Sequence, residues 1–298
     1  MGHWEPGWAG FAARWVARGC PYTAPPWDGQ PLAGRTLLVV CEQGFGDSLQ
    51  FVRYVRHLPT DGPRILRCPE PLRRLFALTF PGVLTIGEGE PLPPHDFWVS
   101  LLDLPRWFGV KGEIPYLHPT AEPQLPPQLS PGGAPLRLGL VATSGWRAEP
   151  YAQRQQRLKS VSWAMLQPLA QLPGVQGYSL QKEGDVPAEW VDLAPLLTDF
   201  AATAALVQQL DAVVTVDTAI AHVAGALGKP VWILLPFAAD WRWLLDRADS
   251  PWYPTAILCR QPTPGGLGGG DRHGAGQPAP LLGPTVGWAS PAGLAAGR

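Results

Sequence analysis

The sequence predicts an α/β protein whose two parallel-sheet halves face each other across a cleft. Short apolar, β-branched runs alternate with helix-like stripes along the chain, as expected of parallel strands covered by crossover helices. The same series runs twice, restarting after a proline-rich gap at 119–135. Ligands of such sheets bind outside the carboxyl ends of the strands, in the crevice between the halves.

The elements follow in order. Trp4, Trp8, Phe11, Trp15 and Val16 approach the i, i+3, i+4 spacing of one amphipathic helix, with nothing adjacent in sequence to cover its aromatic face. A turn-rich connector spans 21–34. Leu37–Cys41 reads as a strand buried on both faces, followed by a glycine-bearing loop and a helix carrying Leu49, Val52, Val55 and Leu58 on one stripe. Strands at Arg64–Cys68, Val83–Ile86 and Phe97–Leu101, with a helix near Pro71–Leu78, complete the first series. The second has strands at Leu136–Ala142, Gly177–Leu180, Ala212–Val216 and Val231–Leu235, and helices at Ser162–Leu172, Ala201–Leu210 and Thr218–Leu227. The expected division is an N-terminal helix and connector at 1–30, a first half at 31–130, a second at 131–262, and a disordered Gly/Ala/Pro-rich tail at 263–298.

Composition excludes several functions. Of 298 residues, 46% are hydrophobic and 16% charged, enough apolar material for two cores. The net charge is −1 and no Lys/Arg-rich run occurs, which disfavours a nucleic-acid groove or a polybasic membrane surface. Four scattered cysteines without C-x-x-C spacing support neither a disulfide framework nor a metal site. With no signal peptide and no 18-residue apolar run, the chain reads as cytoplasmic.

Four constellations carry chemistry. Glu42-Gln43-Gly44-Phe45-Gly46-Asp47-Ser48 follows a strand and opens a helix. Its glycines Gly44 and Gly46 permit unusual backbone angles and close approach. Asp47 is either a helix cap or a carboxylate in the cleft, available as a general base. The third glycine of the dinucleotide fingerprint is replaced by Leu49, so nicotinamide binding is disfavoured. In the second constellation, strand Ala212–Val216 runs into Asp217-Thr218 and a helix bearing Ala219 and His222. Small first-turn residues leave amides open to a pyrophosphate; Ala219, His222 and Ala226 are read on an open face. Third, Arg154, Arg157, Lys159 and Ser160 form a loop before Trp163, either solvated or phosphate-contacting. Fourth, the aromatic-rich Asp240–Trp243 and Ser250–Pro254 read as core or as stacking surfaces for a base or sugar.

Together these motifs resemble glycosyltransferase family 9, the heptosyltransferase-like group, and most closely a branch at the C-terminal end of bacterial tetratricopeptide-repeat proteins. The resemblance rests on Glu42–Tyr54, Val216–Pro230 and Asp240–Pro254, and covers roughly residues 4–261. It implies a GT-B fold of two Rossmann-like domains and an inverting, metal-independent transfer. The nucleoside-diphosphate sugar is then a substrate, no cofactor is needed, and the acceptor is a saccharide, a lipid-linked group or a protein. It also implies Asp47 as the base, donor-diphosphate contacts from Lys159, Asp217, Thr218, Ala219 and His222, and 1–30 as a remnant of the repeat region. Relatives close on a Gly-Asp-Trp segment, which the run Gly265–Gly274 would encode after removal of one inserted guanine. The alternative is a catalytically degenerate transferase domain acting as an interaction module beside helical repeats.

Overall fold

The structure is a computed structural model that describes residues 4–119, 122–126, 136–145 and 150–263. The tail from Pro264 on, with its expected disorder and shifted reading frame, lies outside the described residues.

The first sheet holds β1 (Leu37–Val40), β2 (Arg64–Cys68), β3 (Leu84–Gly87) and β4 (Phe97–Ser100) in the order β3-β2-β1-β4, all parallel. Every residue of β1 and β4 is buried, which explains their unbroken apolar runs. The second sheet is larger: β5 (Leu136–Val141), β6 (Val175–Ser179), β7 (Val191–Asp192), β8 (Ala212–Val216), β9 (Val231–Leu235) and β10 (Ala256–Arg260), in the order β10-β9-β8-β5-β6-β7, again parallel. The expected two-sheet α/β architecture is therefore present.

The helices are α1 (Trp4–Ala12), α2 (Arg14–Arg18), α3 (Phe45–Phe51), α4 (Glu70–Thr79), α5 (Pro105–Phe108), α6 (Pro150–Lys159), α7 (Trp163–Ala170), α8 (Phe200–Gln209) and α9 (Ala219–Ala226). Several depart from the sequence reading. The helix expected through Leu58 is α-helical only to Phe51 and tightens into a 3-10 helix over Val52–His57. The segment read as a basic loop is α6, built from the strong helix formers Gln, Arg, Leu and Lys but with no long apolar stripe to signal it. Strands β7 and β10 were not anticipated; β7 is only two residues long, and β10 follows directly on the aromatic motif.

The N-terminal helix breaks at Ala13 into α1 and α2, and its aromatic face is covered by this chain itself. Trp8 is 6% exposed and meets Trp241, Phe51 and Phe11 edge-on, while Trp4 meets Trp252. Arg14 pairs with Glu42 and with Asp103 (2.7 Å), and Trp15 donates to Asp103 Oδ2 at 3.0 Å. The expectation of a face with nothing local to bury it is thus corrected: α1 lies against side chains of both halves, brought together only by the fold. Val16, assigned to that face, is 88% exposed.

After α5 the chain crosses onto the second half. The Tyr116 amide donates to the Ala226 carbonyl at 2.9 Å, and the Leu125 amide to Gln209 Oε1 at 3.0 Å. Arg53, fully buried, donates through Nη1 to the carbonyls of Lys111 (2.5 Å) and Trp252 (2.8 Å), and through Nη2 to Tyr116 Oη at 3.1 Å. No described helix is long and apolar enough to cross a membrane.

Candidate active site

A cleft of about 1010 Å³ opens between the halves at the carboxyl ends of their strands. The first half lines it with Gly44–Asp47 and Pro71. The second contributes the loop after β5, Gln156 and Lys159 of α6, the segment after β6, the start of α8, residues 217–220, His222, Asp240 and Arg242.

On the second-half side, β8 delivers Asp217 and Thr218 to the start of α9. Thr218 is the N-cap: its hydroxyl accepts from the Ile220 amide at 3.3 Å and meets Thr215 Oγ1 at 3.1 Å. First-turn amides have no partner within their own helix, and the dipole makes this end positive. Lys159, the last residue of α6, donates to Asp217 Oδ2 at 2.7 Å. Asp217 therefore anchors the ammonium group beside the helix end, and two of its N–H donors have no partner among the described residues. The neighbouring loop is pinned as well: Gln181 Oε1 accepts from the Thr143 amide at 2.9 Å, and Gln156 Nε2 donates to the Ser144 carbonyl at 3.0 Å.

His222 sits on the same helix one turn on, but not on an open face; it is 2% exposed, and Ala226 is fully buried. The cause is α3, which approaches α9 closely at Gly46. A Cβ at Gly46 would lie 2.8 Å from His222 Cδ2 and 3.2 Å from Nε2. Gly46 is thus needed for close approach. Neither loop glycine is needed for a left-handed angle, because Gly44 is extended (φ −96) and Gln43 takes the positive φ of 65. Arg242 Nη1 faces His222 Nε2 at 3.4 Å, and a guanidinium can only donate. Nε2 is then the acceptor, and Nδ1–H donates to Tyr253 Oη at 2.8 Å. Burial, then the Arg242 charge, push the imidazole well below its ordinary range, so it is neutral. Tyr253 continues the network to Tyr116 Oη (3.4 Å), whose hydroxyl donates to the Leu49 carbonyl at 2.9 Å.

Asp47 is not the N-cap of α3, which is Gly44, but closes the helix start from the third position while lining the cleft. Its Oδ2 accepts from the Gly44 amide at 2.9 Å, closing the start of α3, and its Oδ1 accepts from Arg242 Nη2 at 2.5 Å. It also faces the cleft. Arg242 was quoted in sequence only as part of an aromatic motif, and it is the site residue that reading missed. It is 7% exposed and uses all three nitrogens: Nε to Asp240 (2.9 Å), Nη2 to Asp47, and Nη1 to Gln50 Oε1 (3.1 Å). Burial alone would favour loss of its proton; Asp47 and Asp240 outweigh that and hold it above its ordinary range. The available signal was a lone arginine among tryptophans, but its partner Asp47 lies 195 residues away in sequence. Near the cleft mouth Arg74 grips Asp199 through two bonds (2.6 and 2.7 Å), and Phe45 meets Phe200 edge-on at 5.2 Å.

Two parallel-sheet α/β halves that face each other across one cleft are the architecture of the GT-B fold. Residues 181–234 match the model of glycosyltransferase family 9 (heptosyltransferase). Protein FlbA of Caulobacter vibrioides is 29% identical over 266 aligned residues, covering 77% of this chain and 44% of FlbA. The chain thus spans less than half the length of that curated relative. Among solved structures, the iron-containing dodecameric glycosyltransferase TibC of enterotoxigenic E. coli superposes with a TM-score of 0.52 at 12% identity, covering 76% of this chain and 63% of TibC. The family 9 glycosyl transferase of Veillonella parvula gives 0.51 at 9% identity, covering 78% of this chain and 88% of that protein. These likenesses show the fold.

Proposed function

We propose that the chain is a glycosyltransferase that moves a sugar from a nucleoside-diphosphate donor to a hydroxyl acceptor with inversion. One observation carries the reading: the start of α9, with Lys159 held at it by Asp217, shares a single cleft with the Asp47 carboxylate of the other half. In this scheme the donor diphosphate lies against the Thr218–Ala219 amides and the Lys159 ammonium group. Asp47 takes the acceptor proton as the hydroxyl oxygen bonds to the anomeric carbon. The bond from that carbon to the diphosphate oxygen breaks on the opposite face, which inverts the centre. The helix end and Lys159 receive the departing negative charge. Neutral His222 and Arg242 form the floor between the two groups. The family match at 181–234 supports this reading, since it spans all of β8 and α9.

A second reading has one observation behind it. Both Asp47 oxygens already serve the fold, one capping α3 and one paired with Arg242, as a purely structural carboxylate would. A degenerate domain used for interaction would keep those bonds. Release of nucleoside diphosphate from ADP-, GDP- and UDP-hexoses and -heptoses, followed in wild type and Asp47→Asn, separates the two. Transfer predicts nucleotide-dependent thermal stabilisation in both proteins and a turnover loss on the order of 100-fold or more in the variant. The transfer reading is wrong if millimolar nucleotide leaves the melting temperature of folded wild type unchanged.

A further inference from the structure

Arg242 is the only described side chain in the cleft that bonds to charged or polar side chains of both halves through separate nitrogens. Its Nε is tied to Asp240, on its own turn, and that turn is held by a bond from Trp252 Nε1 to the Arg242 carbonyl at 2.9 Å. Its Nη1 lies between Gln50 of α3 and His222 of α9, and Nη2 reaches Asp47. His222 is itself fixed by Tyr253 on one side and by the Trp243 ring, stacked at 5.6 Å, on another. The guanidinium therefore has one orientation, set by Asp240 and His222 of the second half and by Gln50 of the first.

We infer that Arg242 is the positioning residue for Asp47: the donor-binding half supplies the group that aims the base of the acceptor half. This deepens the glycosyl-transfer reading and rests on it. With Oδ2 turned to the Gly44 amide and Oδ1 to Arg242, the carboxylate cannot rotate about its terminal bond. Its remaining lone pairs then point in fixed directions into the cleft, where an acceptor hydroxyl meets them. Without the guanidinium, Oδ1 has no partner among the described residues and the carboxylate turns freely about the Gly44 bond. A base misplaced by an ångström loses on the order of 100-fold in rate. The forked shape matters as much as the charge, because a lysine has a single nitrogen and cannot hold Asp240, Gln50 and Asp47 together.

The experiment compares wild type, Arg242→Lys, Arg242→Gln, Asp47→Asn and the Asp47→Asn/Arg242→Gln double variant. Turnover is read as nucleoside diphosphate released from the nucleotide sugar that wild type accepts, and nucleotide affinity from thermal shifts with ADP, GDP and UDP. Positioning predicts that Arg242→Lys and Arg242→Gln each lose about 100-fold in kcat while nucleotide affinity stays within a few-fold. It also predicts a double variant no slower than the slower single, since a base that is absent cannot be aimed. Wild-type kcat in Arg242→Lys, or losses that multiply in the double variant, overturns the proposal. Asp240→Asn is the variant for the case in which Arg242 substitutions do not fold. It leaves the guanidinium in place, loosens its anchor and is expected to lower kcat by about tenfold at unchanged nucleotide affinity; an unchanged kcat counts against the proposal. If wild type turns over none of these donors, the transfer reading falls on its own. The melts of the single and double variants then still decide the structural half: a double variant melting no lower than Arg242→Gln supports coupling, and additive losses refute it.

Discussion

Gly46→Ala tests the close approach of α3 to α9, where the two halves meet. The backbone at Gly46 is helical, so alanine meets no conformational penalty there and gains about 0.5–1 kcal/mol over glycine. Against this stands the added methyl, 2.8 Å from His222 Cδ2 and 3.2 Å from Nε2. The ring cannot swing aside, because Nδ1 is bonded to Tyr253, Nε2 faces Arg242 and the face lies on Trp243. Overpacking of this kind costs about 1–3 kcal/mol; with the ring held on three sides the upper part of that range, about 2–3 kcal/mol, applies, leaving a net loss of about 1–2.5 kcal/mol. For domains of this size that corresponds to a fall in Tm of roughly 3–6 °C. Differential scanning calorimetry measures it, with Gly89→Ala as the control, since a methyl there meets nothing within 4 Å. A Gly46→Ala protein that melts at or above the wild-type temperature would refute the steric reasoning and reduce Gly46 to an ordinary helix position.

Two further outcomes are expected. The folded value of His222 lies well below 6.5, so the unfolded chain binds its proton first. Stability from this group is complete above about pH 6.5 and declines as pH falls below it, by up to ~1.4 kcal/mol per unit. Denaturant melts between pH 5 and 7 should show that slope, and His222→Gln should flatten it; His57, lowered in the same direction, remains in both proteins as a common background. An equal slope in the variant would show that His222 does not titrate as its surroundings require. Trp8→Ala should cost about 3–5 kcal/mol, the usual range for emptying a buried tryptophan site; a loss below 1 kcal/mol in urea melts would mean that α1 is not part of the folded core.

Much of the fold was legible because parallel strands buried on both faces write themselves as unbroken apolar runs. Leu37–Val40, Phe97–Ser100, Ala212–Val216 and Val231–Leu235 are of this kind. The 3.6-residue period failed where it was weak: α6 has no apolar stripe along its length, and β7 is too short to show alternation. At the site, Asp47, Asp217 and Thr218 could be named because a strand end followed by a helix start is a local pattern. Burial was not local. His222 is covered by α3 and Arg242, and Arg242 by Asp47 and Gln50, pairings that only the closed cleft creates. The same holds for α1, whose tryptophans meet Trp241 and Trp252 from the far end of the chain.

The contacts strung along α3 differ in strength from one end to the other, and this limits how the cleft can open. Phe45, at the first turn, meets Phe200 beside the exposed Arg74–Asp199 pair, an interaction contributing at most about 1 kcal/mol. Phe51, about 9 Å further along the helix, is sealed among the rings of Trp8, Trp241 and Trp252. Separating the halves at the Phe51 end would expose several large rings to water, whereas separating them at the Phe45 end breaks the Arg74–Asp199 and Asp47–Arg242 pairs, the Phe45–Phe200 ring contact and the packing of Gly46 on His222. The aromatic end is therefore the costlier one to part, and widening of the cleft is expected to begin on the side of Arg74 and Phe45.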